Sequence, residues 1–360
     1  MSDAFQILSD ELTEEILKQL ALPDLLRASS TCRFFRGLIS SPCFPCRPTP
    51  WLFLCGLNNI SAKRHQAFGF DPSSFSWFRL PPPSVPLDDL SASQGLYFST
   101  TSSSCFSYSP ILRPQWTSIP PLFFPRRNPL IHVFSNNRIL VVGGVRFIGG
   151  LVNIEEHLDV EIYNPYTRSW DLFPPLRLDF LFGYSSQSLS SALFRNKLFV
   201  LGTYSPVITW FDLRIKRWGP VKLFGLPIGG FSFLIACNDT LVVAAMCGRP
   251  YRFILWSVSD TLMELTEISA MPMELLEGLV DAEDDESKFA CLKCVGCGNL
   301  IYVFNQEHYS GYSACIVDIA SGLWRKLPPL PSPVNKSHKL ISICSDVSHR
   351  DVILMTKVSR

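Results

Sequence analysis

The spacing of hydrophobic residues along this chain changes near residue 50. Before that point, apolar side chains recur at intervals that place them on one face of an α-helix, at Leu12, Ile16, Leu17 and Leu20. Ser9 is a suitable N-cap, and Pro23 both ends the first helix and opens a second. Residues 5–44 are therefore predicted to form three short helices. A segment of about 40 residues cannot build an adequate hydrophobic core alone. We therefore expect the helices to pack on the rest of the chain or on a partner.

After residue 50 the apolar runs become short and are separated by Gly, Pro, Ser and Asn, which indicates β-strands. A repeat runs through this region. Each copy begins with an aromatic or aliphatic residue directly followed by Asp, Asn or Ser. Tryptophan lies six or seven positions after that polar residue, and two adjacent prolines usually follow the tryptophan. The tryptophans of the repeat are Trp77, Trp116, Trp170, Trp218 and Trp324. A degenerate copy near Trp256 has Met263 in the tryptophan position, and the mean period is about 49 residues.

Most copies also contain an apolar strand that follows a polar hairpin signal such as Asn136-Asn137. Each copy is therefore expected to form four antiparallel strands. One such sheet cannot bury both faces, but several sheets arranged radially can, which predicts a β-propeller with tryptophans packed between its blades. Six copies favour six blades. The final apolar segments, 340–343 and 352–355, either complete the first blade or belong to a seventh.

The region resembles kelch repeats. The resemblance rests on Gly143 and Gly144 after a strand, on Tyr163 downstream, and on Trp170 six residues beyond Asn164. The other copies depart from this pattern, since Gly202 is single and one copy lacks its tryptophan. The resemblance implies a mainly β fold, a kelch-type β-propeller. Its structural residues are Trp77, Trp116, Gly143, Gly144, Trp170, Trp218 and Trp324.

Residues 5–44 resemble an F-box, although Ser9 and Phe35 replace the proline and tryptophan usual in that family. The resemblance implies an F-box over 1–46 and a propeller over 47–360, an arrangement familiar from plants. It also implies a substrate-recognition subunit of an SCF-type ubiquitin ligase, whose F-box docks on a Skp-type adaptor and through it on a cullin. The residues expected to bind the adaptor are Leu8, Leu12, Ile16, Leu17, Leu20, Leu25, Leu26 and Phe35.

Charge and composition exclude several other classes of protein. The 32 basic and 31 acidic residues leave a net charge of +1, which is not the electrostatic footprint of a nucleic-acid-binding protein or of one bound to an anionic membrane. No apolar run approaches the roughly 20 residues that span a bilayer, and the N-terminus lacks the pattern of a signal peptide. The 12 cysteines are then expected to be thiols in the cytoplasm or nucleus.

No catalytic site or cofactor is predicted. Cys291, Cys294 and Cys297 have spacing that suits a metal, but residues three apart on a strand point to opposite faces and no fourth ligand lies nearby. The alternatives to a ligase subunit are a kelch scaffold without ligase activity and a propeller enzyme. The target is expected to bind loops at one mouth of the ring, with 225–230, 282–287 and 305–312 as candidates.

Two further expectations concern how the helical region and the propeller pack. Leu12, Ile16, Leu20 and Leu25 are expected to be exposed in the isolated chain, because an uncovered apolar patch marks a docking site. The helices and the propeller are expected to have separate cores.

Overall fold

The structure is a computed structural model. It describes residues 8–41, 43–44, 48–58, 60–83, 90–102, 105–112, 115–126, 128–148, 153–156, 159–177, 189–223, 225, 228–248, 251–259, 264–279, 292–306, 313–332, 334, 338–348 and 351–352.

Three helices open the described chain, as the sequence predicts. They are α1 (Asp10–Leu17), α2 (Leu22–Thr31) and α3 (Arg33–Ser40). The Ser9 hydroxyl caps α1 by accepting a hydrogen bond from the Leu12 N–H at 3.4 Å, and Pro23 lies in the first turn of α2. The sulfur of Cys32 accepts a hydrogen bond from the Phe35 N–H at the start of α3. At the start of each helix, either a side chain accepts a hydrogen bond from a backbone N–H or a proline has no N–H to be satisfied. Fewer N–H groups of the first turn are therefore left without a partner.

The rest of the described chain is mainly β and contains six antiparallel sheets of four or five strands, the blades of a propeller. Blades 1 to 3 contain β1 (Thr49–Asn58), β2 (Gln66–Asp71), β3 (Ser76–Leu80), β4 (Leu90–Ser93), β5 (Leu96–Ser102), β6 (Cys105–Pro110), β7 (Thr117–Ile119), β8 (Leu130–Phe134), β9 (Arg138–Val142), β10 (Val145–Ile148), β11 (Asn153–Glu156), β12 (Val160–Asn164) and β13 (Ser169–Phe173). The blades are β1–β3 with a fourth strand from the C-terminus, then β4–β7, then β8, β9, β12 and β13. Strands β10 and β11 form a separate two-stranded hairpin between β9 and β12.

Blades 4 to 6 follow the same plan. Their strands are β14 (Leu189–Phe194), β15 (Lys197–Gly202), β16 (Val207–Asp212), β17 (Arg217–Trp218), β18 (Lys222–Leu223), β19 (Ile228–Cys237), β20 (Thr240–Cys247), β21 (Arg252–Val258), β22 (Leu265–Ala270), β23 (Leu292–Cys297), β24 (Leu300–Asn305), β25 (Ala314–Asp318) and β26 (Leu323–Lys326). A short helix, α4 (Met273–Glu277), lies between blades 5 and 6.

The last strand, β27 (His338–Val347), pairs with β1 along its whole length and completes blade 1. The first strands of successive blades contact one another in a closed cycle, β27, β4, β8, β14, β19, β23 and back to β27. The propeller therefore has six blades and is closed by strands from both ends of the β region. The second predicted terminal strand is not formed at its start, since Asp351 and Val352 are helical, and 353–360 lie outside the described residues.

The aspartate or asparagine of the repeat forms an Asx turn. In four blades its side-chain oxygen accepts a hydrogen bond from the backbone N–H two residues later, at Asp71, Asn164, Asp212 and Asp318. The fourth residue after it has a positive φ, as at Arg168 (53°) and Gly322 (68°). This turn explains the six-residue spacing to the tryptophan in these four blades, because the return strand begins directly after the turn and the tryptophan is its second residue.

The tryptophans join neighbouring blades. In three blades the indole N–H donates to the carbonyl of the first proline in the Pro-Pro pair of the preceding blade. The pairs are Trp77 with Pro328, Trp170 with Pro120, and Trp218 with Pro174, each at 2.8 Å. Trp324 donates instead to the Ser269 hydroxyl, and the N–H of Trp116 has no partner among the described residues. The first pair joins blade 1 to blade 6 and so supports ring closure.

The core is divided into six clusters, and each lies between two adjacent blades. The cluster between blades 1 and 2 also contains buried side chains of the N-terminal region, namely Leu17, Leu22, Leu25, Ile39 and Phe44. These residues pack in one cluster with Trp51, Phe53, Ile343 and Val347 of blade 1. The expectation of separate cores is therefore wrong, because the helices and the first blade bury a common apolar surface.

The antiparallel strand order gives the propeller two different faces. One face, here called the tight-turn face, carries the two-residue hairpins such as 195–196 and the Asx turns. The opposite, long-loop face carries the longest connections, 143–159, 174–188 and 271–291. Because Thr49 pairs with Val347 at one end of β1 and Asn58 pairs with His338 at the other, the helices join at the tight-turn face.

Candidate functional site

The outer surface of α1 carries an exposed apolar pair. Leu12 and Ile16 are four residues apart, so they lie on the same side of the helix, and they are 55% and 49% exposed. Large apolar side chains with this exposure leave an apolar surface that a partner can cover. The expectation that both residues are exposed in this chain is confirmed.

The remaining residues predicted to bind an adaptor divide into two groups. Leu8, Leu20, Leu26 and Phe35 are half-buried. Leu17 and Leu25, in contrast, are 3% and 0% exposed and belong to the core shared with blade 1. The expectation of exposure does not hold for Leu20, which is half-buried against the shared core, and it is wrong for Leu25, which α2 turns into that core. Leu17 and Leu25 hold the helices in place and do not offer a surface for contact.

One exposed aromatic residue was not predicted. Phe34 on α3 is 42% exposed and lies beside Phe35, with 5.9 Å between the ring centroids. Phe35 was predicted from the resemblance to an F-box, which did not include its neighbour. Phe34 lies four residues before Leu38, at the edge of the apolar face of α3, and this spacing is the signal that could have identified it.

The start of α1 is acidic. Asp10 and Glu11 lie in its first turn, where the positive end of the helix dipole favours carboxylates. A backbone N–H and the Ser9 hydroxyl stabilise the charged form of Glu11 and lower the pKa of that exposed carboxyl group. A partner surface that covers Leu12 and Ile16 therefore also meets negative charge at this end of the helix.

The described cysteines are unpaired thiols, and several are deeply buried. Burial raises the pKa values of Cys237 and Cys315 to about 12, so these thiols remain protonated and are poor nucleophiles and metal ligands. Cys294 and Cys297 lie on β23, while Cys291 is outside the described residues. Within the described ranges, no three His, Cys, Asp or Glu side chains converge as a metal site.

The residues predicted to be structural in the propeller lie at blade contacts and turns. Trp170 is buried against Phe106 of blade 2 in an edge-on contact, with centroids 5.4 Å apart. Gly143 and Gly144 follow β9 with φ angles of 69° and 101°, a conformation that favours glycine. The carbonyl of Gly143 accepts a hydrogen bond from the Arg126 guanidinium at 3.2 Å.

The three candidate mouth loops all connect strand ends on the long-loop face. Residues 225–230 link blades 4 and 5, and β19 begins within them at Ile228. Residues 282–287 lie wholly outside the described residues, as do 307–312 of the third loop. That these loops bind a target stays a prediction.

Comparison with known families identifies the helical region. The F-box domain family matches residues 5–47, which include all three helices. No curated protein matches the chain. None of the helices in the described part of the chain is long and apolar enough to cross a membrane. The chain thus combines a small N-terminal F-box domain with a six-bladed β-propeller.

Proposed function

We propose that this protein is the substrate-recognition subunit of an SCF-type ubiquitin ligase, with a propeller of the kelch type found in plant F-box proteins. The F-box docks on a Skp-type adaptor, which binds a cullin, and the propeller holds the protein to be ubiquitinated. The observation that carries the proposal is the exposed pair Leu12 and Ile16 on the first helix of a domain that matches the F-box.

The arrangement of the two faces supports this function. The F-box packs at the tight-turn face, and the longer and more varied loops lie on the opposite face. A target bound to the long-loop face therefore leaves the F-box free for its adaptor. The chain itself is non-catalytic in this proposal. It acts by proximity, because tethering raises the local concentration of the target near the ubiquitin-charged enzyme.

The cellular location proposed is the cytoplasm or the nucleus. Buried thiols such as Cys55, Cys237 and Cys315 are unpaired, which supports a reducing compartment.

The test is an adaptor pull-down with the double variant Leu12→Asp/Ile16→Asp. Both side chains are exposed, so the variant should fold normally, whereas carboxylates on a docking surface are costly to desolvate. We expect adaptor binding to fall at least about 100-fold, equivalent to roughly 3 kcal/mol.

A matched control is Leu172→Asp/Leu323→Asp. These leucines are 48% and 59% exposed on the outer strands of blades 3 and 6. The control should bind adaptor like the wild type, with circular dichroism verifying the fold of both variants. Undiminished adaptor binding by Leu12→Asp/Ile16→Asp would contradict the proposed docking surface. No adaptor binding by the wild type would leave a kelch scaffold without ligase activity as the better description.

A further inference from the structure

A pocket on the long-loop face of blade 1 has a chemistry that the proposed function does not specify. It has a volume of about 480 Å³ and lies where β1 and β3 end and where β2 and β27 begin. Its polar lining includes Asn58, Lys63, Arg64, His65, Gln66, Arg79 and His338. The volume is within the range of roughly 300–1,000 Å³ typical of ligand sites.

The charge of the pocket is one-sided. Lys63, Arg64 and Arg79 are exposed, and within the described ranges none of them forms an ion pair. The Arg79 guanidinium donates a hydrogen bond to the Ser332 hydroxyl at 2.9 Å, which orients it without neutralising it. The described lining contains no aspartate or glutamate. Three cations beside a concave surface favour an anionic ligand.

A buried donor without a partner points to the same chemistry. His65 is 7% exposed, and its Nδ1 accepts a hydrogen bond from the Asn58 backbone N–H at 2.9 Å. In the neutral ring the proton must then lie on Nε2. That nitrogen is buried and has no hydrogen-bond partner among the described residues. A buried N–H without an acceptor is costly, and His65 is one of the residues that line the pocket.

The loop that supplies these residues is organised before any ligand binds. Asn58 is buried, and its side-chain oxygen accepts hydrogen bonds at 3.0 Å from the backbone N–H groups of Ile60 and Ser61. The next residues, Ala62–Arg64, form a short 3-10 helix. Lys63 and Arg64 therefore project from a defined turn, which lowers the entropic cost of binding.

Two features favour a polypeptide over a free ion. Ile60, in the same loop, is 74% exposed and provides an apolar contact that a bare anion cannot use. Gln66 lines the pocket, and its side-chain oxygen is buried without a donor among the described residues. A peptide N–H can fill that role.

We propose that this pocket binds a carboxylate or phosphate group carried by a segment of the target protein. The inference rests on the proposed function, since it names the chemistry of the target that the propeller recognises. Lys63, Arg64 and Arg79 supply the charge, and His65 adds a lining side chain whose N–H has no acceptor among the described residues.

The test uses the full chain and four probes. Three are labelled peptides of glycine and serine that differ only at the central residue, which is phosphoserine, glutamate or serine. The fourth is inorganic phosphate, added as a competitor. We expect saturable binding of the phosphoserine or the glutamate peptide, with a Kd of about 1 mM or tighter, and at least tenfold weaker binding of the serine peptide.

Charge-neutralising variants locate the site. Arg79→Gln and Lys63→Gln should each weaken the anionic peptide about tenfold, because each removes one charge-assisted contact. The matched control is Arg214→Gln, which removes an exposed arginine from an Asx turn on the tight-turn face and should bind within twofold of the wild type. Thermal melting checks that all three variants fold.

The outcomes are separable. A preference for phosphoserine identifies a phosphate-bearing target, and equal binding of the glutamate peptide identifies an acidic one. The proposal is overturned by equal binding of the serine peptide, by absence of saturable binding, or by equal losses in Arg214→Gln. Equal affinity for inorganic phosphate and for the peptide overturns the polypeptide assignment. Adaptor pull-down with Arg79→Gln, expected to be unchanged, tests the ligase function independently.

Discussion

At the scale of single residues, Arg126 and Glu161 are two charged residues buried between blades 2 and 3. The two side chains are fully buried and form an ion pair. Arg126 also donates to the carbonyl of Asp159 at 2.8 Å, and Glu161 accepts hydrogen bonds from the backbone N–H groups of Phe123 and Phe124. The pair therefore fastens the connection between blades 2 and 3 to strand β12. Neither residue was identified from the sequence, because the partners are 35 positions apart and share no motif.

We predict that Arg126→Met destabilises the protein by about 3–5 kcal/mol, because it leaves the Glu161 carboxylate buried without a counter-ion. The double variant Arg126→Met/Glu161→Gln should recover part of that loss, since glutamine is uncharged and still accepts a hydrogen bond. Chemical denaturation of the two variants measures the difference. If the double variant is less stable than Arg126→Met, the unpaired Glu161 charge is not the cause of the destabilisation.

His132 gives a prediction about pH. Its Nε2 lies 2.8 Å from the Ser191 hydroxyl, across the inner strands of blades 3 and 4, and burial lowers its pKa from 6.5 to about 4. The unfolded chain therefore binds more protons than the folded one between these values, so stability should fall as the pH is lowered from 6.5 to 4.

The control is His132→Gln, which keeps a hydrogen-bonding group but does not titrate. Its stability should depend less on pH in this window than that of the wild type. His65, whose pKa is also lowered by burial, contributes equally to both proteins and cancels in the comparison. Parallel pH profiles for the two proteins would show that His132 is not responsible.

At the scale of elements, the Asx turn provides a test of the repeat. Arg168 is an exposed residue held at a φ of 53°, where L side chains are strained. Arg168→Gly should therefore stabilise the protein by about 0.5–1 kcal/mol despite the greater freedom of glycine in the unfolded chain. Arg168→Ala keeps the strain and should give no gain. Melting temperatures of the two variants, measured side by side, distinguish these outcomes.

The contact between blades gives a second prediction at this scale. Trp170 is 6% exposed, packs on Phe106 and donates to the Pro120 carbonyl. Trp170→Ala should cost about 3–5 kcal/mol, the range for truncation of a large buried side chain. Trp170→Phe keeps most of the packing and loses the hydrogen bond, so it should cost less. Equal stability of wild type and Trp170→Ala would indicate a binding role for the indole instead of packing.

At the scale of the whole molecule, the F-box and the propeller are joined by a common core. Deletion of residues 1–46 should expose Trp51, Phe53, Ile343 and Val347, which pack in that core. We predict a melting temperature at least about 5 °C lower and a tendency to aggregate, because a large apolar patch is uncovered. Full-length Leu12→Asp/Ile16→Asp, which keeps the cover, is the control. A truncated chain that melts like the full one would show that the two regions fold independently.

Much of the architecture could be predicted from local patterns. The Asn136-Asn137 pair indicated a hairpin, and both residues have positive φ angles between β8 and β9. The spacing of Leu12 and Ile16 predicted one helix face, and both are exposed. Such features depend on neighbours close in the chain, so the order of residues is sufficient to specify them. The division of the chain into 1–46 and 47–360 stays a prediction, because no boundary separates the cores.

Contacts between distant positions were decided only by the tertiary structure. The sequence alone determined three helices, a repeated four-stranded unit and a nearly neutral net charge. It left open whether residues near 340 close blade 1, which the pairing of β27 with β1 decides. It also did not show that Leu25 faces blade 1, or that Lys63 and Arg79 line one pocket with His338. The physical reason is that helix periodicity and turn geometry are encoded over a few residues, whereas burial and charge clustering depend on which segments the closed ring brings together.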